Sequence, residues 1–353
     1  MKKAGIVTFT YGDNFGQRFQ NLAVQEILRL KGFEPVTFPQ IPPKAYEPNC
    51  REKGQNFVKD ILKGRLFPKM QRHKLFNEFD CRYITYYERA ISPSSPPDID
   101  MFDYFIAGSD QIWNPTYPEA ANSTMFLTFA PCEKRIALAP SIAVSMIPVT
   151  MREEYSKYFE GFHQLSVREE SGRNIINDLT GRNAEVLIDP TLYFDRDFWR
   201  QYAKPPKHKP NNPYVVSYIL GDPETDKEID DFCHRLSLKR VDLMRDKRCL
   251  GIGPSEFIYL VANADCVLTD SYHGTIFSIL FERPFIRIPR ANGEDMNSRF
   301  ETLFKKLDIE EQDFTMKEIG IPKIKFESIL NKVDFERQRF DAYLDMCFSA
   351  DRC

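Results

Sequence analysis

The chain has 353 residues, of which 42% are hydrophobic and 28% are charged, and its formal net charge at pH 7 is −3. Acidic and basic residues are interleaved, so this balance gives no support for a nucleic acid or a polybasic membrane surface as the main partner. Because a single hydrophobic core stops growing near about 250–300 residues, the length predicts two domains.

Cysteine usage and the apolar runs bear on where the protein works. The eight cysteines contain no C-x-x-C pair, which favours free thiols in a reducing compartment over a disulfide framework or a zinc site. The N-terminal apolar run ends by residue 10, which is typical of a first strand and not of a signal peptide. The longest apolar stretch, 135–149, holds two prolines and is too short to span a bilayer. We therefore expect a cytoplasmic protein, an expectation compatible with work at the inner face of a membrane.

The first half of the chain alternates short apolar runs with helical repeats. Residues 4–10 predict a buried strand, and apolar residues at helical spacing over 19–30 predict a helix. Asp13 or Asn14 is placed to cap that helix, and Gly32 to end it. Residues 40–100 are less regular, with proline-rich loops around a basic helical stretch. Further strands are predicted at 103–108, 134–140, 164–169 and 184–190.

The same alternation restarts in the second half. Strands are predicted at 213–220, 240–244, 265–269 and 284–289, with helices between them. This pattern predicts an α/β protein with two Rossmann-like domains, whose parallel sheets face each other across a cleft. The predicted divisions are an N-terminal domain (1–195), a linker (196–212), a C-terminal domain (213–324) and a C-terminal helix (325–353), for which packing back on the N-terminal domain is one option.

The stretch TDSYHGTIFS, residues 269–278, lies where a predicted strand gives way to a helix. A helix N-terminus carries unsatisfied N–H donors and partial positive charge, and Gly274 would let an anion approach the backbone. His273 is suited to donate a hydrogen bond or to transfer a proton near neutral pH, with Asp270 and Ser271 as caps. A structural histidine at a capped helix start is an equally good interpretation.

Polar residues also follow two other predicted strands. Arg168 ends the strand in SVREE, where its guanidinium suits a carboxylate or phosphate, although a salt bridge to Glu169 or Glu170 is the simpler interpretation. In GSDQIWNP, residues 108–115, the side chains suggest an acceptor site, since they offer a carboxylate, two carboxamides and an indole that could stack on a sugar. Its members are Ser109, Asp110, Gln111, Trp113 and Asn114; the alternative is a capped turn with the indole in the core.

The loop YGDNFGQRFQN, residues 11–21, has the position of a dinucleotide-binding loop without its spacing. It lacks both G-x-G-x-x-G and the G-K-[ST] of a P-loop, and therefore gives little support to NAD or ATP. Asn14, Gly16 and Gln20 are its best candidates for holding an anion or a sugar. Asp189, before a proline in LIDPTLYF, reads as a strand-end turn.

In this order the motifs resemble the polysaccharide pyruvyl transferase family. Five stretches, which together span about residues 5 to 307, carry the resemblance. They are DNFGQRFQNLAVQEIL, FDYFIAGSDQIWNP, FLTFAPCEKRIALAPS, LSVREESG with VLIDPTLY, and ADCVLTDSYHGTIFSILFERPFI followed by NSRFETLF. GSDQIWNP and the D-S-Y-H-G-T block are the specific ones.

The resemblance implies a GT-B-like fold and transfer of a pyruvyl group from phosphoenolpyruvate to sugar hydroxyls of a surface polysaccharide or its lipid-linked precursor. It implies neither a metal nor a further cofactor. Arg168 and His273 match the family's donor-binding arginine and histidine, with His273 as general acid and Asp110 as base or acceptor ligand.

The chain departs from the family pattern at the arginine-leucine-histidine run, where Ser271 and Tyr272 replace the arginine and the leucine. The remaining donor contacts would come from Ser271 and Tyr272 themselves and from Gly274 and Thr275 at the helix start. Arg287, Arg290 or Arg299 would have to supply the missing charge. Two alternatives stay open, a GT-B glycosyltransferase that uses a nucleotide-sugar and a non-catalytic relative that binds a glycan or an anion.

Overall fold

The computed structural model describes residues 1–40, 64–117, 122–210, 213–221, 226–288, 297–310 and 320–349. Its N-terminal sheet has the strand order β2-β1-β3-β4, and every pairing in it is parallel. The four strands are β1 (Lys2–Val7), β2 (Phe33–Thr37), β3 (Tyr104–Ala107) and β4 (Arg135–Ala137). A parallel pair, β5 (Ser166–Val167) and β6 (Glu185–Val186), continues the sheet beyond β4 through a bridge between Ile136 and Gln164.

Helices cover this sheet, including a short one within the range 196–212 that was predicted as a linker. They are α1 (Phe15–Leu30), α2 (Leu66–Tyr83), α3 (Arg152–Glu160), α4 (Glu170–Thr180) and α5 (Arg196–Arg200). Asn14 caps α1 by accepting from the Gln17 N–H at 3.3 Å, and Gly32, with φ of 83°, follows its end. The predicted strands 164–169 and 184–190 are only two residues long, because the chain after each one turns into the site described below.

The second sheet has the order β10-β9-β7-β8, again all parallel. Its strands are β7 (Tyr214–Tyr218), β8 (Lys239–Asp242), β9 (Cys266–Thr269) and β10 (Phe285–Arg287). The helices of this half are α6 (Asp226–Arg235), α7 (Pro254–Ala262), α8 (Tyr272–Leu280) and α9 (Ser298–Leu307). The predicted class, α/β with two parallel sheets, is confirmed.

The last helix, α10 (Phe326–Phe348), runs back to the first sheet. The Tyr343 hydroxyl donates to the Ala137 carbonyl at 2.7 Å, and the Phe348 ring lies 4.6 Å from that of Phe33. No helix in the described ranges is long and apolar enough to cross a membrane.

In each sheet the chain order reverses once, between β1 and β3 and between β7 and β9. Ligands of open α/β sheets bind at the carboxyl ends of the strands beside such a reversal. The two halves are held close by aromatic packing, in which the rings of Phe15 and Phe19 lie 4.6 and 5.4 Å from that of Phe257. The carboxyl ends of both sheets therefore meet in one compact region.

Candidate functional site

The candidate site lies where the ends of strands in the N-terminal sheet meet the first turn of α8. Arg168 follows β5 directly, Asp110 follows the end of β3, and Asp189 comes three residues after β6. His273 is the second residue of α8 and belongs to the other half of the chain. The Glu170 N–H donates to the Thr302 hydroxyl of α9 at 3.1 Å, which holds the two halves together beside these residues.

Asp189 connects the two halves of the site. Its Oδ1 accepts from the N–H and the hydroxyl of Thr191, at 2.9 and 2.6 Å. Its Oδ2 contacts Nη1 of Arg168 and lies 3.5 Å from Nε2 of His273. Burial raises the pKa of the Asp189 carboxyl, but His273 and Arg168 more than offset this and hold the pKa well below its usual range. Asp189 is therefore a fully buried carboxylate shared between an arginine and the candidate acid.

Asp189 is also a functional candidate that the sequence analysis missed. It forms the predicted strand-end turn, because its side chain caps the short helix Pro190–Tyr193. The signal that could have found its second role is its position, since Asp189 and Arg168 both follow neighbouring parallel strands at the same edge of the sheet.

Arg168 is a buried cation with unused hydrogen-bonding capacity. Its side chain is fully buried, and Nη2 lies 3.9 Å from Oδ1 of Asp110. Neither Nε nor Nη2 has a hydrogen-bond partner within the described part of the chain. Leaving buried donors unpaired costs about 1–3 kcal/mol each, and more for a charged group. The side chain is therefore prepared for an additional acceptor.

The imidazole of His273 is placed by a glycine. A Cβ at position 16, in the first turn of α1, would lie 2.2 Å from Nδ1 of His273. Any side chain at position 16 would therefore displace the imidazole or cover Nδ1. Gly16 therefore lets the imidazole pack closely against the first turn of α1, with Nδ1 beside the glycine and Nε2 3.5 Å from Oδ2 of Asp189.

Tyr272 joins two arginines from different halves of the chain. The guanidinium carbons of Arg168 and Arg299 lie 5.2 and 5.3 Å from the centre of its ring. Burial and the positive charge of Arg168 lower the pKa of Arg299. The two positive charges repel each other, and an anion bound near both would lower the electrostatic free energy of the site.

Asp110 and His273 form the accessible edge of the cluster. Their side chains are 11% and 10% exposed, whereas that of Arg168 is fully buried. Asp110 has φ of 76°, a left-handed conformation that is uncommon outside glycine, and its carbonyl accepts from the Ser141 N–H at 2.8 Å. The backbone thus holds the Asp110 carboxylate at the accessible edge of the cluster. Its Oδ1 accepts from the Gln111 N–H at 2.8 Å.

Ser109 and Gln20, predicted to bind the acceptor, belong instead to a buried network. The Ser109 N–H donates to Oε1 of Gln20 at 2.9 Å, and Nε2 of Gln20 donates to the Thr8 hydroxyl at 2.8 Å. The Ser109 hydroxyl donates to the Ala139 carbonyl at 2.6 Å. These bonds occupy both side chains, which join the ends of β1, β3 and β4 behind the site.

The sugar-stacking role predicted for Trp113 is wrong. Its indole is fully buried, stacks on Phe126 at 5.4 Å, and donates through Nε1 to the Met125 carbonyl at 3.1 Å. Asn114 is also fully buried and bonds to Thr116 and Gln111, so these carboxamides build a turn. Of the GSDQIWNP motif, Asp110 alone reaches the cluster, and the other residues position it.

The helix start at α8 is used differently from the prediction. The Gly274 N–H donates to the Ser271 hydroxyl at 3.3 Å, and the Thr275 N–H donates to the Ser271 carbonyl at 3.0 Å. A Cβ on Gly274 would lie 2.4 Å from the Thr269 hydroxyl, so the glycine permits close packing of helix on strand and not the approach of an anion. Asp270 does not orient the imidazole, because its carboxylate accepts from the N–H groups of Leu220 and Gly221.

The remaining predicted donor and acceptor residues are peripheral to the cluster. Arg287 bonds to Asn297 and lies 4.3 Å over the Phe300 ring, while Asn14 is an exposed cap. Arg290 lies outside the described residues. Of the three arginines considered as a replacement at position 271, the structure brings Arg299 to Tyr272.

Comparisons with known proteins agree with this architecture. A putative UDP-N-acetylglucosamine 2-epimerase from Listeria monocytogenes aligns over 100% of this chain and 98% of its own, with 9% identity and a TM-score of 0.50. A glycosyltransferase from Rickettsia africae aligns over 99% of both chains, with 11% identity and a TM-score of 0.49. The likeness to the epimerase shows the fold alone, which is GT-B-like.

A search of the curated proteins gives no match. The sequence profile of the family described as polysaccharide pyruvyl transferase matches residues 11–292, well over half of the chain. That range contains Gly16, Asp110, Arg168, Asp189 and His273, the residues that the structure brings together. The protein is a member of the polysaccharide pyruvyl transferase family.

Proposed function

We propose that this protein transfers a pyruvyl group from phosphoenolpyruvate to hydroxyls of a sugar in a surface polysaccharide or its precursor. The observation that carries the proposal is Arg168, a fully buried guanidinium whose Nε and Nη2 lack partners among the described residues, beside the Asp189–His273 pair. A small dianionic donor meets this need for acceptors, since it brings both a phosphate and a carboxylate.

The second positive charge of the donor site comes from Arg299. The family's arginine at position 271 is a serine here, and this serine caps α8. Arg299 lies beside the same tyrosine as Arg168 but reaches it from α9, outside the matched range. The two arginines bind the donor from the two halves of the chain, so that the donor itself helps to hold the halves together.

The chemistry follows from the placement of His273. Its imidazolium donates a proton to the CH₂ carbon of the enol, while a sugar hydroxyl forms a C–O bond to C2 and returns a proton to the histidine. The C2–O bond to phosphate then breaks, a second hydroxyl of the sugar forms the other C–O bond, and its proton leaves with the phosphate. The products are a pyruvyl ketal and inorganic phosphate.

Each carboxylate has a separate part in this scheme. Asp189, whose Oδ2 lies 3.5 Å from Nε2 of His273, positions the imidazole, and Nδ1, beside Gly16, serves as the proton donor. Asp110, at the entrance, accepts a hydrogen bond from an acceptor hydroxyl and orients it toward C2. The sugar that fits here needs two neighbouring hydroxyls.

Ligand binding tests the proposal before any acceptor is known. Phosphoenolpyruvate at about 100 times its dissociation constant should stabilise the protein by about 2.7 kcal/mol, measured as a shift in Tm. Arg168→Lys and Arg299→Leu should each weaken this shift, because each removes a planar guanidinium. Arg152→Lys is the matched control, since Arg152 lies 39% exposed in a surface pair with Asp178.

The same titration with UDP, GDP and inorganic phosphate discriminates the alternatives. Stabilisation by a nucleotide, with none by phosphoenolpyruvate, would overturn the proposal in favour of a nucleotide-sugar donor. Stabilisation by phosphoenolpyruvate with no phosphate release over a panel of diol-bearing saccharides would indicate a binding protein that does not turn over.

A further inference from the structure

Glu169 is a buried carboxylate that the proposed mechanism does not use. It follows Arg168 directly, just before α4, and is fully buried. The sequence analysis considered it as a salt-bridge partner of Arg168, but that arginine pairs with Asp189 instead. The Glu169 side chain is directed at the segment after β4, residues 139–143, which we call the β4 turn. Because a buried charge must be compensated by its contacts, its hydrogen bonds show which segment it stabilises.

A single oxygen of Glu169 holds the β4 turn. Its Oε1 accepts from the Ser141 hydroxyl at 3.0 Å and from the N–H groups of Ile142 and Ala143 at 2.7 and 2.9 Å. Ala139 and Ala143 have φ of 50° and 60°, a left-handed conformation that alanine rarely adopts. Residues of this kind persist only where the surrounding structure fixes them. The turn therefore depends on the bonds to Glu169 for its shape.

The β4 turn holds the backbone of Asp110. The Ser141 N–H donates to the Asp110 carbonyl at 2.8 Å, and the Trp113 N–H donates to the Ser141 carbonyl at 3.3 Å. The Arg168 N–H donates to the Pro140 carbonyl at 3.1 Å. Asp110 itself has a left-handed backbone, which also needs fixing from outside. One buried carboxylate therefore joins the end of β5 to the loop that presents the Asp110 side chain at the accessible edge of the cluster.

We propose that Glu169 is a positioning residue, which fixes Asp110 through the β4 turn and thereby sets the orientation of the acceptor hydroxyl. The effect on the acceptor rests on the proposed function, whereas the effect on the backbone of Asp110 does not. Oε1 makes all three bonds to the turn, while Oε2 has no hydrogen-bond partner in the part of the chain that the structure describes. Glu169→Gln, which retains an oxygen in the place of Oε1, should therefore keep Asp110 in position, and Glu169→Ala should release it.

Hydrogen–deuterium exchange, followed by mass spectrometry, tests the positioning without any substrate. In Glu169→Ala, peptides over 109–114 and 139–145 should exchange about tenfold faster than in the parent, and in Glu169→Gln they should stay within about twofold of it. Peptides over 214–218 and 266–269, in the second sheet, should not change in either variant. Faster exchange throughout the chain, or unchanged exchange over 109–114 in Glu169→Ala, would overturn the proposal.

Two further variants make this experiment specific. Ser141→Ala removes one of the three bonds to Oε1 and should accelerate exchange over 109–114 by about threefold, which keeps the test available if Glu169→Ala does not fold. Asp242→Ala is the matched control, because Oδ1 of this buried carboxylate accepts from two backbone N–H groups of the loop after β8, both at 2.9 Å. It should loosen that loop alone, and equal acceleration over 109–114 by Asp242→Ala and Glu169→Ala would contradict a specific role of Glu169.

Turnover and donor binding distinguish positioning from general damage to the site. With a saccharide of the diol-bearing panel, Glu169→Ala should lower kcat/KM for the saccharide about tenfold. The Tm shift by phosphoenolpyruvate should not decrease, since losing a negative charge beside Arg168 cannot weaken the attraction of an anion. Added to Asp110→Ala, Glu169→Ala should cause a further loss of no more than about twofold, because it acts through Asp110.

The outcomes separate this role from the proposed function. Losses of kcat/KM that multiply in the double variant, or a smaller Tm shift by phosphoenolpyruvate in Glu169→Gln, would overturn the positioning of Asp110 by Glu169. If the parent releases no phosphate with any saccharide, the proposed function fails, and the exchange over 109–114 still decides whether Glu169 fixes Asp110.

Discussion

Asp189→Asn is the substitution that tests the candidate site most directly. The asparagine Oδ1 can keep the cap to the Thr191 N–H, which is 2.9 Å from the present carboxylate. Its Nδ2 would then face Nη1 of Arg168 and Nε2 of His273. An N–H donor would take the place of the carboxylate oxygen, and the buried guanidinium and imidazole would both lose their negatively charged partner. Removing one partner of a buried ion pair costs about 3–5 kcal/mol, a large share of a typical stability of about 5–15 kcal/mol.

The assay is urea unfolding of Asp189→Asn, Arg168→Met and the double variant, with Thr191→Val as a control. Thr191→Val removes one hydrogen bond to Asp189 and should cost about 1 kcal/mol. The double variant should be more stable than the sum of the single losses predicts, because it contains no orphaned arginine, with a coupling of about 2 kcal/mol. The claim that Arg168 and His273 share a buried Asp189 would be refuted in either of two cases. One is that the losses of unfolding free energy in the two single variants add up to that of the double variant. The other is that Asp189→Asn costs no more than Thr191→Val.

The pH dependence of this prediction has a definite sign. The folded protein holds the pKa of Asp189 below its unfolded value, after burial has been offset by His273 and Arg168. The stability that Asp189 contributes is therefore present above about pH 4, its unfolded pKa, and is lost as the pH falls through the folded pKa. Asp189→Asn should flatten the acid side of the stability profile, measured by urea unfolding at pH 3 to 7.

Three further predictions concern single positions. Gly16→Ala should shift the His273 imidazole by roughly 1 Å and lower turnover about a hundredfold, whereas Gly320→Ala, where a Cβ meets nothing within 4 Å, should leave turnover unchanged. An unaltered His273 signal in NMR spectra of Gly16→Ala would contradict the contact. Trp113→Phe should destabilise the fold by about 1–3 kcal/mol in urea yet leave phosphoenolpyruvate affinity unchanged, since the indole is core. Burial raises the pKa of Asp80 to about 6, so its contribution to stability is largest below about pH 4 and is lost as the pH rises through 6. Asp80→Asn should remove this loss of stability, measured by urea unfolding between about pH 4 and 6. A pH profile unchanged from that of the parent would exclude the raised pKa of Asp80.

The sequence predicted the layout of the sheets because apolar runs and helical spacing are local signals. Arg168 and His273 were singled out because each follows a predicted strand and matches a family motif, and the structure brings both to Asp189. Asp189 was not found, because an Asp-Pro turn looks the same whether its second carboxylate oxygen faces solvent or a buried arginine. Trp113 was assigned wrongly for the same reason, since only the packing of Phe126 and Met125 around it shows that it is core.

Tyr272 and Arg299 show best what the sequence could not settle. The sequence analysis considered Arg287, Arg290 and Arg299 after the D-S-Y-H-G-T block, and their spacing gives no preference among them. The choice depends on α9 folding back so that Arg299 lies 5.3 Å from the Tyr272 ring, a contact between elements that no local pattern encodes.

The family's arginine at position 271 is a serine here, and Arg299 brings a positive charge to the same tyrosine instead. This difference has a physical reason that can be tested. Ser271 caps α8 through the Gly274 N–H, a bond worth about 0.5–2 kcal/mol that an arginine side chain cannot supply. With the charge carried by Arg299, the chain keeps both the cap and the cation. Arg299→Leu should therefore abolish most of the stabilisation by phosphoenolpyruvate, and adding Ser271→Arg with Tyr272→Leu should restore part of it at a cost in Tm. If the triple variant folds and does not recover donor binding, the two positions are not equivalent, and Arg299 acts through the orientation of Tyr272 instead of through its charge.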